Sequence, residues 1–138
     1  MILDVINKAQ KKGACKKIDK PTNMEELVKL FFSPQGIEFC EENNFPDLNT
    51  FRGVKNEVLE YGIFVDEKQI KRSNDKTVAL IGNTQGELKF DKNNYVNTVI
   101  LMHGASAKIT ASKYTVLKIV NIGDCKVEIE KDNTVIVL

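Results

Sequence analysis

Tryptophan is absent from this 138-residue chain, histidine occurs once and proline three times. Aromatics make up 7% of the residues, so few rings are available on which the bases of a nucleic-acid single strand could stack. The one histidine is His103. The three cysteines, Cys15, Cys40 and Cys125, include no two at metal-ligand spacing, so a zinc site would have to recruit carboxylates. An odd number of cysteines far apart reads as reduced thiols in a reducing compartment. No apolar run approaches the roughly 20 residues that span a bilayer. The opening Met1-Ile2-Leu3-Asp4 is charged too soon for a signal peptide. The expected setting is the cytoplasm or the inside of an assembled particle, with no membrane partner. Nor is there an excess of charge of one sign: 20 Lys and Arg face 19 Asp and Glu, which argues against a surface that tracks nucleic acid everywhere.

What the chain does have is a hydrophobic fraction of 42%, ordinary for a folded protein, in a length that suits one domain or two small modules sharing a core. Its two halves differ in pattern. In residues 1–62, Ile2, Leu3, Ile6 and Ala9 lie at helical spacing, with Gly13 as a stop. Thr22 or Asn23 caps a second helix through Phe32, with Glu25 and Glu26 in its first turn. Ser33-Pro34 opens a third helix, a capping hydroxyl followed by proline at the first helical position, and Asn43-Asn44 ends it. Asn49 or Thr50 caps a fourth helix with Phe51, Val54, Val58 and Leu59 turned inward, and Gly62 supplies its left-handed terminus. These elements predict a helical cap. Residues 63–76 read as connecting strands and a turn, around Ile63-Phe64-Val65 and Gln69-Ile70.

From residue 77 to 138 the sequence repeats. The dipeptide Thr-Val recurs at 77, 98, 115 and 134. A second block recurs as Gly86-Glu87-Leu88-Lys89-Phe90, Ala107-Lys108-Ile109-Thr110-Ala111 and Cys125-Lys126-Val127-Glu128-Ile129. Alternation of apolar and polar residues marks a strand with one buried face. A period of about 20 residues holding two strands predicts a short β-solenoid of about three stacked coils. Ladders of Val78, Val99, Val116 and Val135, and of Leu88, Ile109 and Val127, are expected, with Gly86, Ala107 and Cys125 at one small-residue position. The fold class is α+β, with the helices closing the first coil. The competing architecture for the tail is an antiparallel β-sandwich.

The apolar stretch Thr134, Val135, Ile136, Val137 and Leu138 begins a further unit with no charged or proline-bearing cap after it. It is the expected interface, joining the chain to itself or to another protein. The alternative function is DNA binding. It would use the lysine cluster Lys8, Lys11, Lys12, Lys16, Lys17 and Lys20, together with a helix-turn-helix-like pair whose second helix bears Arg52 and Lys55. Nothing in the sequence forms a catalytic, cofactor or metal signature. Ser73, Ser106 and Ser112 lack a nucleophile-elbow context, no Lys-Ser/Thr pair follows the Gly82–Gly86 loop, and the carboxylates are scattered. Cys40 adjoins an apolar face and reads as an inert thiol, and His103 reads as a turn residue.

Two stretches carry a resemblance. Ser33-Pro34-Gln35-Gly36-Ile37-Glu38-Phe39-Cys40 with Asn44-Phe45-Pro46 and Tyr61-Gly62-Ile63 is one; Val99-Ile100-Leu101-Met102-His103-Gly104-Ala105 is the other. Together they resemble small uncharacterised proteins encoded in gut-bacterial genomes and their prophages or mobile elements, which pair a helical front with a solenoid-like tail. The resemblance covers roughly Met24 to Leu138. It implies a phage-related or mobile-element setting and a structural or interaction role, and it brings no catalytic residue.

Overall fold

The computed structural model describes residues 2–12 and 21–138. Gly13, Cys15, Lys16, Lys17 and Lys20 lie outside the described residues. Among the described residues five helices come first: α1 (Ile2–Lys11), α2 (Met24–Phe32), α3 (Pro34–Asn43), α4 (Leu48–Gly53) and α5 (Lys55–Val58), followed by a 3-10 turn, Leu59–Tyr61. Nine strands follow: β1 (Ile63–Val65), β2 (Ile70–Ser73), β3 (Thr77–Ile81), β4 (Gln85–Phe90), β5 (Val96–Met102), β6 (Ser106–Ala111), β7 (Val116–Ile122), β8 (Lys126–Lys131) and β9 (Ile136–Val137).

The helix ends follow local chemistry. Asn23 accepts the Glu26 N–H at the start of α2, and Ser33 accepts the Gly36 N–H at the start of α3. Asn44 and Gly62 take left-handed conformations at the two helical stops. The cap of α4 is Asp47, not Asn49 or Thr50: its carboxylate accepts the Thr50 N–H at 2.7 Å. The helix expected to run unbroken to Leu59 is divided at Val54, and Leu59 faces solvent.

Among the described residues all strand pairs are parallel. The odd strands form one sheet in the order β1-β3-β5-β7-β9, and the even strands form a second in the order β2-β4-β6-β8. The chain thus winds through four two-stranded coils and enters a fifth, and the tail is a β-solenoid, not an antiparallel sandwich. Residues 63–76 are the first coil: Ile63 stacks under Ala79 and Ile70 under Gly86.

The two sheets bury different amounts of themselves. The even sheet alternates, as Glu87, Lys89, Lys108 and Thr110 face solvent while Leu88, Phe90, Ile109 and Ala111 face in. The odd sheet does not alternate. Val78, Leu80, Val99 and Leu101 fill the solenoid interior, and Ala79, Ile81, Ile100 and Met102 on the other face are equally buried. The helices supply the cover: Val28, Ile37, Cys40, Phe51, Val54 and Val58 join Ile63, Val65, Ile100, Val120 and Ile122 in one core. They therefore lie along the flank of the solenoid, against coils from the first to the fourth, where the sequence reading had them closing the first coil. The physical reason is legible in Val99-Ile100-Leu101-Met102, a continuous apolar run of the kind that belongs to a strand buried on both faces.

The stacking register departs from the Thr-Val repeat after its second copy. Thr77 and Val78 pair with Thr98 and Val99, but Val99 pairs with Ile119, and Val116 pairs with Val96 below and Ile136 above. Aligning Thr115 with Thr98 would have set Lys118 in the interior slot of Leu101. The observed register sets Lys118 beside Thr98 on the outer face. In the even sheet the ladders are Leu88, Ile109 and Ile129, and Gly86, Ala107 and Val127. Two residues before the Gly86, Ala107 and Val127 row, at the corner, Cys125 aligns with the buried Ala105 and Thr84, so its small-residue role stands in a different row.

Helix packing depends on one glycine. A Cβ on Gly36 would sit 1.9 Å from the Leu30 carbonyl oxygen, so α3 approaches the α2 backbone only because residue 36 has no side chain. Gly53, by contrast, has open space around it. Gly36→Ala is expected to destabilise the protein by about 1–3 kcal/mol, whereas Gly53→Ala is expected to be neutral or stabilising by up to about 1 kcal/mol. Denaturant midpoints of the two variants check this, and equal midpoints would contradict the close approach.

Candidate interaction surface

The helices and the solenoid are tied by two polar clasps. In the first, the Arg52 guanidinium holds Asp66 at 2.7 Å, Lys55 lies 3.7 Å from Glu67, and Asp66 also accepts the Asn83 N–H at 2.9 Å. Asp66 occupies the first corner of the solenoid. Gly82 in the coil above must be glycine, with φ +67° and a Cβ position only 2.5 Å from the Asp66 carboxylate. In the second clasp, His103 in the β5–β6 turn donates from Nε2 to the Pro46 carbonyl at 2.7 Å and stands edge-on to the Phe51 ring. A carbonyl oxygen only accepts, so Nε2 carries the proton. His103 is thus a turn residue with a structural bond to the helical layer.

These contacts bear on the residues considered for DNA binding. Arg52 and Lys55 are engaged with Asp66 and Glu67, and Lys8 donates to the Thr50 hydroxyl at 3.3 Å. Lys11 and Lys12 are exposed at the end of α1. The helix that would enter a groove, α4, is six residues long and buries Thr50 and Phe51.

Two concave regions were candidates for chemistry. A cavity of about 460 Å³ lies among the helices, lined by Met24, Leu27, Phe31, Phe39 and Phe51. Its titratable lining groups among the described residues are Glu38, Glu42 and Cys40. Burial pushes the Cys40 thiol up to about 12, so it is protonated and inert at neutral pH. A cleft of about 480 Å³ runs over the stacked corners at Lys68, Gln69, Asn83, Gln85 and Ser106, with no carboxylate or histidine to act as acid or base. Among the described residues no three His, Cys, Asp or Glu side chains gather where they could hold a metal ion. No helix there is long and apolar enough to cross a membrane.

The two ends of the solenoid are unlike. At the β2 end, Phe64 is the inward residue of β1, and it is buried. Arg72 lies over its ring at 5.8 Å and is itself paired with Asp75. Lys71 and Arg72 make that edge strand charged, which is how natural edges resist further pairing. At the β8–β9 end, Ile129 is 38% exposed, Ile136 55%, Val137 38% and Leu138 66%. Ile129 caps the ladder begun by Leu88 and Ile109, and Val137 lies over Leu117. Of the five residues expected at the interface, Ile136, Val137 and Leu138 are therefore presented. Val135 is buried in the interior, and Thr134 is held in its turn by Asp132 and by the Tyr114 N–H. Ile129 was missed in sequence because its alternating context is that of an ordinary buried strand position. Its exposure follows from being in the last strand of its sheet among the described residues.

Compared with protein-family models, with curated proteins and with solved structures, the chain matches none.

The first clasp has a pH signature. The hydrogen-bonded Arg52 side chain, and then the Asn83 N–H, hold the Asp66 carboxyl below its ordinary range. A carboxyl whose folded value is depressed stabilises the fold above its unfolded value of about 3.9 and loses that contribution as pH falls through the folded value. Arg52 is half exposed, so solvent screening keeps the effect small. Asp66→Asn should lower the melting temperature at pH 7 and flatten its fall below about pH 4. Superimposable acid profiles for the two proteins would contradict the clasp.

Proposed function

We propose that this protein is a non-enzymatic interaction module that associates through the apolar C-terminal end of its solenoid, in the first instance with a second copy of itself. The observation that carries this reading is the asymmetry of the ends. One is sealed by Arg72 over Phe64, and the other leaves Ile129, Ile136, Val137 and Leu138 facing water. Large apolar residues clustered at one site mark a contact surface, whereas scattered ones do not. Among the described residues the strand edges beside them have no partner strand, which is the usual setting for β-strand addition. Exposed Asn121 and Lys131 lie in β7 and β8 beside this apolar surface. The setting we assign is the cytoplasm or an assembled particle, and the solenoid serves as a spacer that presents this end.

Absolute mass from light scattering over a concentration series tests the reading. The full chain is expected to exceed monomer mass as concentration rises. A variant carrying Ile136→Lys and Leu138→Lys, both at exposed positions, is expected to stay monomeric with an unchanged circular dichroism spectrum. A full chain that is monomeric throughout would overturn self-association.

A further inference from the structure

Resting on that reading, we infer that the contact is a two-fold, antiparallel pairing of β8 with β8 of a second copy, centred on Glu128. Backbone direction fixes the possibilities. Ser106 donates its N–H to Thr84 and Ser112 to Phe90, so the even-numbered residues of β6 turn toward β4 and the odd-numbered ones toward β8. With Ser106 paired to Lys126, the backbone groups of Val127 and Ile129 point away from β6, out of the sheet edge. Side chains alternate independently of this: Val127 and Ile129 lie in the inward rows of Ala107 and Ile109, Ile129 still exposed at the open end, and Lys126, Glu128 and Glu130 face outward.

Two-fold antiparallel strands place each residue opposite its mirror position about the centre. Centred on Glu128, Val127 meets Ile129 of the second copy and they exchange both backbone hydrogen bonds. On the outer face Lys126 meets Glu130, and both contacts occur twice by symmetry. Centred on Ile129, the pairing sets Glu128 against Glu130 twice and Val127 against Lys131. Centred on Val127, it matches Lys126 to Glu128 but pairs only residues 126–128 of each β8 and sets Ile129 against the buried turn residue Cys125. Glu128 is therefore the centre that pairs residues 126–130 of each strand while matching apolar to apolar and cation to anion, leaving one like-charged pair on the axis. The same face already uses such matching within the chain, where Lys71, Glu87, Lys108 and Glu128 stack in one column and Lys71 lies 3.6 Å from Glu87.

The odd sheet accommodates this pairing. β9 pairs only with Val116 and Leu117, so among the described residues the β7 edge from Lys118 to Ile122 has no strand beside it. The two-fold lays β9 of the second copy along that stretch. Head-to-tail stacking, β8 on β2 of the next copy, would extend the charge column by setting Lys71 on Glu128. It would also set a charged edge on the apolar end and draw Arg72 off Phe64.

A symmetric centre makes a direct test possible, since residues on the axis meet themselves. In a chain carrying Cys15→Ser, Glu128→Cys is expected to form a covalent dimer under mild oxidation. The paired Cα atoms at a position of this type lie about 4.5 Å apart, within disulfide range. Cys40 and Cys125 are buried and serve as the internal control in the chain without Glu128→Cys. Lys126→Glu and Glu130→Lys are each expected to weaken the dimer roughly tenfold, and the double variant to recover it. Glu128→Gln should tighten it several-fold by relieving the like-charged pair. A dimer by mass that neither cross-links through position 128 nor shows recovery in the double variant would overturn this register while leaving the proposed function standing. Growth to long filaments would identify head-to-tail stacking and overturn the two-fold. A monomer at every concentration would overturn both.

Discussion

The rest of the structure depends on a sheet that is apolar on both faces. In β3 and β5, consecutive residues Val78 to Ile81 and Val99 to Met102 are all buried, with alternate side chains entering the solenoid interior and the helical interface. Each buried aliphatic side chain is worth roughly 1.5–3 kcal/mol relative to exposure, so neither face can be left to water. One face is covered by the even sheet as the chain winds back on itself. The other needs a second layer, and the amphipathic helices of the first 62 residues provide it. The odd sheet is the shared wall of two cores, which is why helices and solenoid form a single packed body.

The polar contacts follow from this arrangement. Arg52 to Asp66, and His103 to Pro46, join the helical layer to corners of the first and third coils. Exposed ion pairs contribute little to stability. Their value here is positional, since they fix where short helices sit on a sheet that offers only apolar contact. Because the helices lie on the flank, they close neither end of the solenoid by their own packing. The first coil is finished with a charged strand and an arginine over Phe64, while the β8–β9 end presents aliphatic side chains and, among the described residues, strand edges with no neighbour. The functional reading comes from this difference between ends.

Much of the architecture is legible from residue chemistry. Asn23, Ser33-Pro34 and Gly62 mark helix boundaries because capping groups and left-handed residues act over a few bonds. The alternation of Glu87-Leu88-Lys89-Phe90 and Lys108-Ile109-Thr110-Ala111 reveals strands with one wet face. Long-range features are harder to read. The Thr-Val dipeptides match at residues 77 and 98, yet the third lies three positions away from its apparent equivalent, because the turns differ in length and the register answers to where Lys118 can be placed. The flank position of the helices was encoded in Val99-Ile100-Leu101-Met102, where four consecutive apolar residues signal two buried faces. At the proposed interface, Ile136 to Leu138 stood out as an uncapped apolar stretch. Ile129 did not, since its exposure depends on the order of strands and not on its neighbours in sequence.

The central claim is that the helical layer and the solenoid are one cooperative unit joined through the odd sheet. Native-state hydrogen exchange resolved by segment tests it most directly. Amides of α2 and α3 and those of β3, β5 and β6 should share the same highest opening free energy, and should lose it together as denaturant is added. Helices that open at far lower free energy while the strands keep full protection would contradict the claim, and would make the solenoid a self-sufficient fold with the helices merely resting on it.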